Sequence, residues 1–224
     1  MRSIPDRAAF IRANTRLRPV PLTPEISLHL VDEAVPLWQK TEGELAAIGL
    51  PPPFWAFAWA GGQALARHLI DNRGIVAGKR VLDLGAGSGL VAIAAAMAGA
   101  APVVAADIEA FSEGAIALNA SANGVHVETL IADLLDAPAS QEPRYDVILV
   151  GDLFYEQTTA QRAFAFLSAR LAAGVHVLIG DPGRTYLPKQ RLTELATYAV
   201  PVTRDLEDNE IKRTAVFALL PLLK

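Results

Sequence analysis

The chain of 224 residues contains no cysteine. That absence excludes disulfide scaffolds, thiolate zinc sites, iron–sulfur clusters and thiol nucleophiles together. A basic surplus is also missing: 20 lysines and arginines stand against 24 aspartates and glutamates, for a net charge of −4. A protein that grips a phosphate backbone carries the opposite balance, so no nucleic-acid partner is expected. The 4 histidines, His29, His68, His126 and His176, show no metal-ligand spacing and read as structural, so no metal is expected. Internal repeats and low-complexity runs are absent too. One uncharged run, residues 84–106, is long enough to cross a bilayer. It holds Gly85, Gly87, Gly89, Gly99 and Pro102, however, and divides better into a glycine turn, a helix and a strand, so no membrane partner is expected.

What is present is apolar: 52% of residues are hydrophobic and 20% charged, enough for a large buried core. From residue 79 the chain alternates two kinds of segment. Strands are expected at 80–84, 102–106, 125–132, 146–150 and 175–179, and helices at 90–98, 111–122 and 158–171. Continuous Val/Ile/Leu runs mean strands buried on both faces, and their alternation with helices means an α/β fold with a mostly parallel sheet. The rhythm then changes. A helix is expected over 188–196, a strand over 198–206, a polar turn at 207–210 and a strand over 213–220, the two strands forming an antiparallel hairpin at the sheet edge. Before residue 79, prolines break the chain into short pieces, and 61–72 is the one clear helix. The length suits one domain over 1–224, with 1–78 as a helical cover over the carboxyl edge of the sheet and 79–224 as a ligand-binding core. At the N-terminus Ser3 is a candidate cap for a helix with Ala9, Phe10, Ala13 and Leu17 on one face. Arg2, Arg7, Arg12, Arg16 and Arg18 suit a surface-docked amphipathic helix or a mitochondrial transit peptide. A cytoplasmic location is expected, with the mitochondrial matrix as the alternative.

The most informative segment is Val81-Leu82-Asp83-Leu84-Gly85-Ala86-Gly87-Ser88-Gly89-Leu90, set between a strand and a helix, where ligands bind in open α/β sheets. Its glycines allow close backbone approach, and the helix start offers unpaired N–H groups. Asp107 follows at the next strand end, at a distance suited to ribose hydroxyls. A dinucleotide fingerprint would carry glycine at position 90, where Leu90 stands, which weakens a nicotinamide-dependent oxidoreductase. The order acid-x-G-x-G-x-G resembles motif I of the class I S-adenosylmethionine methyltransferases. That resemblance implies a Rossmann-like, seven-stranded sheet, S-adenosylmethionine as cofactor with S-adenosylhomocysteine as product, and Asp83, Gly85, Gly87, Gly89 and Asp107 as its binding residues. It also implies that Asp133, which ends the third strand, meets the adenine amino group.

The fourth strand ends in Gly151-Asp152-Leu153-Phe154-Tyr155-Glu156. Leu153 and Phe154 stand where amino-base methyltransferases carry prolines. The D-x-x-Y pattern instead resembles the family-16 protein methyltransferases, which include many lysine methyltransferases. Three further stretches resemble the electron transfer flavoprotein β-subunit lysine methyltransferases: Pro24-Glu25-Ile26-Ser27-Leu28, Trp59-Ala60-Gly61-Gly62-Gln63-Ala64-Leu65, and Gly180-Asp181-Pro182-Gly183-Arg184-Thr185-Tyr186-Leu187. The resemblance reaches from about residue 24 to 187 and implies a protein acceptor, the flavoprotein β-subunit. A ribosomal protein is the nearest alternative, and a small molecule a third. It implies that Trp59 contacts the cofactor, that Asp152 positions the acceptor with Tyr155, and that Phe154 and Arg184 contact the substrate. Trp55, Phe57 and Trp59 alternate, and core aromatics on a strand remain an alternative for them.

Overall fold

The computed structural model describes residues 6–31, 52–136, 145–202 and 211–221. In chain order the elements are α1 (Arg7–Asn14), β1 (Arg16–Pro19), β2 (Ser27–Leu30), α2 (Ala60–Asp71), β3 (Val81–Leu84), α3 (Leu90–Met97), β4 (Val103–Asp107), α4 (Ala110–Ala122), β5 (Glu128–Ile131), β6 (Val147–Gly151), α5 (Gln157–Ala172), β7 (His176–Asp181), β8 (Leu192–Pro201) and β9 (Ile211–Leu219). Seven strands form one sheet in the order β5-β4-β3-β6-β7-β9-β8. β5, β4, β3, β6 and β7 run parallel, while β9 and β8 are antiparallel. This is the Rossmann-like methyltransferase architecture that the motifs imply.

The central strands are apolar on both faces because both faces are covered. Val81, Val103, Ala105, Val147 and Leu149 enter one core with α2, α3 and α4, and Leu82, Leu84, Val104, Ala106, Ile148 and Val150 enter the other with α5. Successive side chains alternate between the two layers, as the strand period requires. α2 buries Leu65 and Leu69 at 0% exposure, each contributing about 1.5–3 kcal/mol. The β3/β4 pair and the β3/β6 pair diverge from one central strand, so the chain order reverses at β3 and opens a crevice at the strands' carboxyl ends.

Four expectations need correction. Residues 188–196 are not helical: a short 3-10 turn, Lys189–Arg191, leads into β8. Thr193, Thr197, Tyr198 and Val200 favour a strand, and the free edge of β9 supplies a partner along the full length of β8. The turn at 207–210 lies outside the described residues. At the N-terminus Asp6 caps α1, its Oδ1 accepting the Ala9 N–H at 2.8 Å, and Ser3 lies outside the described residues. The buried residue of α1 is Ile11, not Ala9 or Ala13, and Leu17 is an exposed residue of β1. Ile11 is accommodated where α4 presents Gly114: a Cβ there would lie 3.0 Å from Ile11 Cδ1. Finally, the N-terminal pieces do not all lie over the sheet's carboxyl edge. α1 and β2 rest on α4, where Asn119 and Asn123 accept the His29 and Ser27 N–H groups at 2.8 and 2.9 Å. The aromatic segment before α2 is a 3-10 turn, Phe54–Ala56, rather than a strand, and it is this piece that reaches the crevice.

Candidate functional site

The crevice holds a cavity of about 470 Å³, lined by Gly85, Ala86, Gly87 and Ser88 after β3 and by Asp152, Tyr155 and Arg184 after β6 and β7. Gly85, Gly87 and Gly89 have φ of 73°, 51° and 80°. Every second residue of the loop is therefore left-handed, a backbone that L side chains rarely adopt. The loop lies flat over the β3 end and passes directly into α3, with Gly89 as its N-cap residue.

Two acids hold this loop. Asp83, 1% exposed, accepts the Ala92 N–H in the first turn of α3 at 2.9 Å. Burial pushes its pKa up to about 7; the Ala92 N–H opposes the rise and the Asp107 charge adds to it. Asp107 accepts the Gly87 N–H on Oδ2 at 2.7 Å and the Glu109 N–H on Oδ1 at 2.8 Å. A carboxylate has room for about four donors, so each oxygen retains a lone pair, and Asp107 lines the cavity. Asp133 also lines the cavity, accepting the Leu135 N–H on Oδ1 at 3.0 Å and pairing Oδ2 with Arg162 at 2.8 Å.

Just after β6, Asp152 sits at φ 61° with its side chain 3% exposed. Its Oδ2 accepts the Gly61 N–H at 2.9 Å and its Oδ1 accepts Arg184 Nε at 2.6 Å. The Gly61 N–H is one of the unpaired donors at the start of α2, so the carboxylate also lies at the positive end of that helix. Gly61 is required there. A Cβ on it would fall on the Gly180 carbonyl oxygen and 2.8 Å from the Asp152 nitrogen. Asp181, at the end of β7, accepts the Gly183 and Arg184 N–H groups on Oδ1 at 2.6 and 2.7 Å. Burial pushes its pKa up to about 6, against the Arg184 N–H bond and with the charge of Asp152. Glu156, beside the site, is a helix cap and not a site group. It accepts the Thr158 and Thr159 N–H groups, which hold its pKa down at about 2.

A collar of rings also lines the cavity. The Phe54 ring centroid lies 5.9 Å from those of both Trp59 and Tyr155, and Phe57 lies 5.3 Å from Trp59. Trp59 donates its Nε1–H to the Phe54 carbonyl at 3.0 Å. Burial raises the Tyr155 pKa, with the Asp107, Glu156 and Asp152 charges adding to it, so its hydroxyl stays neutral and can both donate and accept.

The crevice thus brings together Trp59, Asp83, Gly85, Gly87, Asp107, Asp133, Asp152, Tyr155 and Arg184, with Gly89 just beneath as the α3 cap. Phe154 is the exception. It is 0% exposed and packs in the α5-side core, so it does not wall the cavity; Leu153 does. The left-handed Asp152 ends the strand alternation, which is why position alone misassigns the two side chains. Phe54, Phe57 and Arg162 were not legible as cavity residues. Arg162 reaches Asp133 across 29 positions of chain, and no local pattern announces that pairing. Among the described residues no group of three or more His, Asp or Glu is placed to hold a metal ion, and no helix is long and apolar enough to cross a membrane.

Known proteins resemble this chain at two levels. The family model for ribosomal protein L11 methyltransferase matches residues 64–153. The electron transfer flavoprotein beta subunit lysine methyltransferase of Mus musculus is 36% identical over 97% of this chain and 86% of its own length. The Homo sapiens protein of that name is 33% identical over 97% and 83%. Among solved structures, TrmN from Thermus thermophilus superposes with a TM-score of 0.51 at 25% identity, over 69% of this chain and 48% of that one. SMU.776 complexed with SAH gives 0.52 at 17% identity, over 74% and 50%; it shares the fold.

Proposed function

The chain belongs to the electron transfer flavoprotein β-subunit lysine methyltransferases, and on that premise we propose that it methylates lysine side chains of that flavoprotein subunit, using S-adenosylmethionine. The observation that carries the acceptor reading is Asp152, a buried carboxylate lining the same cavity as the glycine loop and the rings of Phe54, Phe57, Trp59 and Tyr155.

S-adenosylmethionine suits the glycine-loop side. The lone pairs left on Asp107 match a pair of ribose hydroxyls, the left-handed loop lets backbone approach the ligand, and the Asp107 carboxylate suits a molecule of net positive charge. When bound, the cofactor supplies a methyl carbon on a positively charged sulfur, an electrophile that needs no metal. The chain's own task is the acceptor. A free lysine amine has a pKa near 10.4 and arrives charged. The negative faces of the aromatic collar and the Asp152 carboxylate attract and orient the ammonium. The apolar ring walls favour the neutral amine, so the proton leaves to water at the half-exposed Tyr155 edge. The neutral Tyr155 hydroxyl then accepts an N–H of the amine, which helps to hold its lone pair towards the cofactor's methyl carbon.

A second reading, methylation of a ribosomal protein, is favoured by the family-model match over residues 64–153. Incubation with methyl-labelled S-adenosylmethionine, purified electron transfer flavoprotein and, in parallel, a ribosomal fraction separates the two by mass spectrometry. We expect label on β-subunit lysines, lost in Asp152→Ala with cofactor binding intact. Label on ribosomal protein alone moves the acceptor. Label on neither rejects both protein acceptors.

A further inference from the structure

Arg162, in the second turn of α5, crosses to the turn that follows β5 and meets two acids there. Its Nη2 donates to Asp133 Oδ2 at 2.8 Å and lies 2.6 Å from Asp136 Oδ2, while its Nε donates to Asp136 Oδ1 at 3.1 Å. The planar guanidinium therefore grips Asp136 with a two-pronged fork and takes Asp133 with a remaining N–H. Asp133, Leu135 and Arg162 all line the cavity. The Leu135 N–H is donated back to Asp133 Oδ1 at 3.0 Å. One oxygen of Asp133 is thus held by its own turn and the other by α5, and each keeps a lone pair. Stability is not the main product of this arrangement. Side-chain exposures of 32% for Arg162, 42% for Asp133 and 75% for Asp136 leave all three charges in contact with water, where ion pairs contribute little. What the arrangement fixes is direction. Without Arg162 the two carboxylates repel, and Asp133 is free to turn into solvent.

The strand order β5-β4-β3 says what lies against Asp133. A nucleoside that starts at the glycine loop after β3 and places its ribose at Asp107, at the end of β4, carries its base onward over β5, one strand spacing of about 4.8 Å further. We propose that Arg162 is a positioning residue for base selection: by fixing the Asp133 carboxylate as an acceptor in the cavity wall, it makes the site choose adenine over a 6-oxopurine. A carboxylate accepts and does not donate. The exocyclic amino group of adenine satisfies it, whereas a carbonyl oxygen in the same place sets two acceptors against each other. A carboxylate free to turn away tolerates either base; one held at both oxygens does not. The inference rests on S-adenosylmethionine as cofactor and is independent of the identity of the methyl acceptor.

The test titrates the whole protein by calorimetry with S-adenosylhomocysteine and with S-inosylhomocysteine, which carries a carbonyl oxygen in place of the amino group. The wild type should bind the adenine compound at least about tenfold more tightly, the worth of one hydrogen bond to a charged group. Arg162→Met keeps the apolar stem and removes every donor. It should narrow that ratio by about threefold or more, mainly by weakening the adenine compound. Arg162→Lys returns the charge without the fork and should recover part of the ratio. In an Asp133→Ala background Arg162→Met should change the ratio no further, because Arg162 acts through Asp133. An unchanged ratio in Arg162→Met overturns the proposal, as does an equal loss for both compounds, which is the mark of a merely structural residue. Equal binding of the two compounds by the wild type also overturns it and leaves the cofactor reading intact, whereas binding of neither compound rejects the cofactor reading itself.

Discussion

Burial moves the Asp83 carboxyl far from its ordinary pKa of 3.8, up to about 7. In the unfolded chain this group is ionised above about pH 4; in the folded protein it keeps its proton until about pH 7. The folded state therefore binds more protons in between, and stability from this group declines as pH rises through that window. Asp181, raised to about 6, acts in the same direction but has finished titrating earlier. His29 and His68, whose pKa values burial lowers, act in the opposite direction at and below their ordinary 6.5. From pH 6.5 to 8, Asp83 is thus the main source of loss among these groups. Urea unfolding should show a lower midpoint at pH 8 than at pH 6.5. Asp83→Asn, which keeps an oxygen for the Ala92 N–H, should flatten that difference, and an unchanged slope would show that Asp83 is ionised throughout. The acids were the legible part of the site. Asp83, Asp107, Asp133 and Asp152 each lie in or just after an apolar run, where the fold opens its crevice. Phe154 and Leu153 were not, because the choice between core and cavity depends on one left-handed residue before them.

At the scale of elements, the approach of α2 to the ends of β6 and β7 decides the site's geometry. Gly61 and Gly62 are neighbours in sequence and opposites in context. A Cβ at Gly61 would fall on the Gly180 carbonyl, whereas one at Gly62 would make ordinary contacts with Leu90 and Val91 at 3.7 and 3.8 Å. Gly61→Ala should therefore cost about 1–3 kcal/mol through overpacking and displace the N–H that holds Asp152. Gly62→Ala should be neutral or stabilise by up to about 1 kcal/mol, the helix propensity of alanine over glycine. Chemical denaturation of the two ligand-free variants checks the contrast, and equal costs would mean that α2 can shift outward freely. The same comparison shows why elements were unevenly legible. The parallel strands were readable because burial on both faces leaves unbroken apolar runs. β8 was not, since 188–196 carries a weak local pattern and its strand state comes from pairing with β9, a tertiary contact. The N-terminal helix misled for a related reason: Ile11 is buried by what α4 offers at Gly114, and not by the widest apolar face of α1 itself.

Over the whole molecule, the cavity joins parts that the chain order keeps apart: the 3-10 turn before α2, the loop after β3, the ends of β4, β5 and β6, and the turn after β7. A ligand that fills it ties together both halves of the sheet, so its binding free energy adds to global stability by mass action. At a hundred times its dissociation constant S-adenosylmethionine should add about 2.7 kcal/mol. For a chain of this length each kcal/mol moves the midpoint by about 2–4 °C, so thermal unfolding should shift upward by about 5–10 °C. Asp107 separates this linkage from mere crowding of the cavity. Its carboxylate braces Gly87 and, in the proposed reading, accepts from the ribose hydroxyls, so Asp107→Ala should weaken binding by about 1.5–3 kcal/mol, the worth of hydrogen bonds to a charged group. At the same ligand concentration the thermal shift should then fall to about half or less. A full shift in Asp107→Ala would place the ribose elsewhere; no shift in the wild type would mean that the glycine loop holds no S-adenosylmethionine. The global class is readable in the sequence because the loop, the strand-end acids and the apolar runs all point to one crevice. The aromatic collar and the Arg184–Asp152 pair were not, since each is made by segments that meet only when the sheet closes and α2 docks on it.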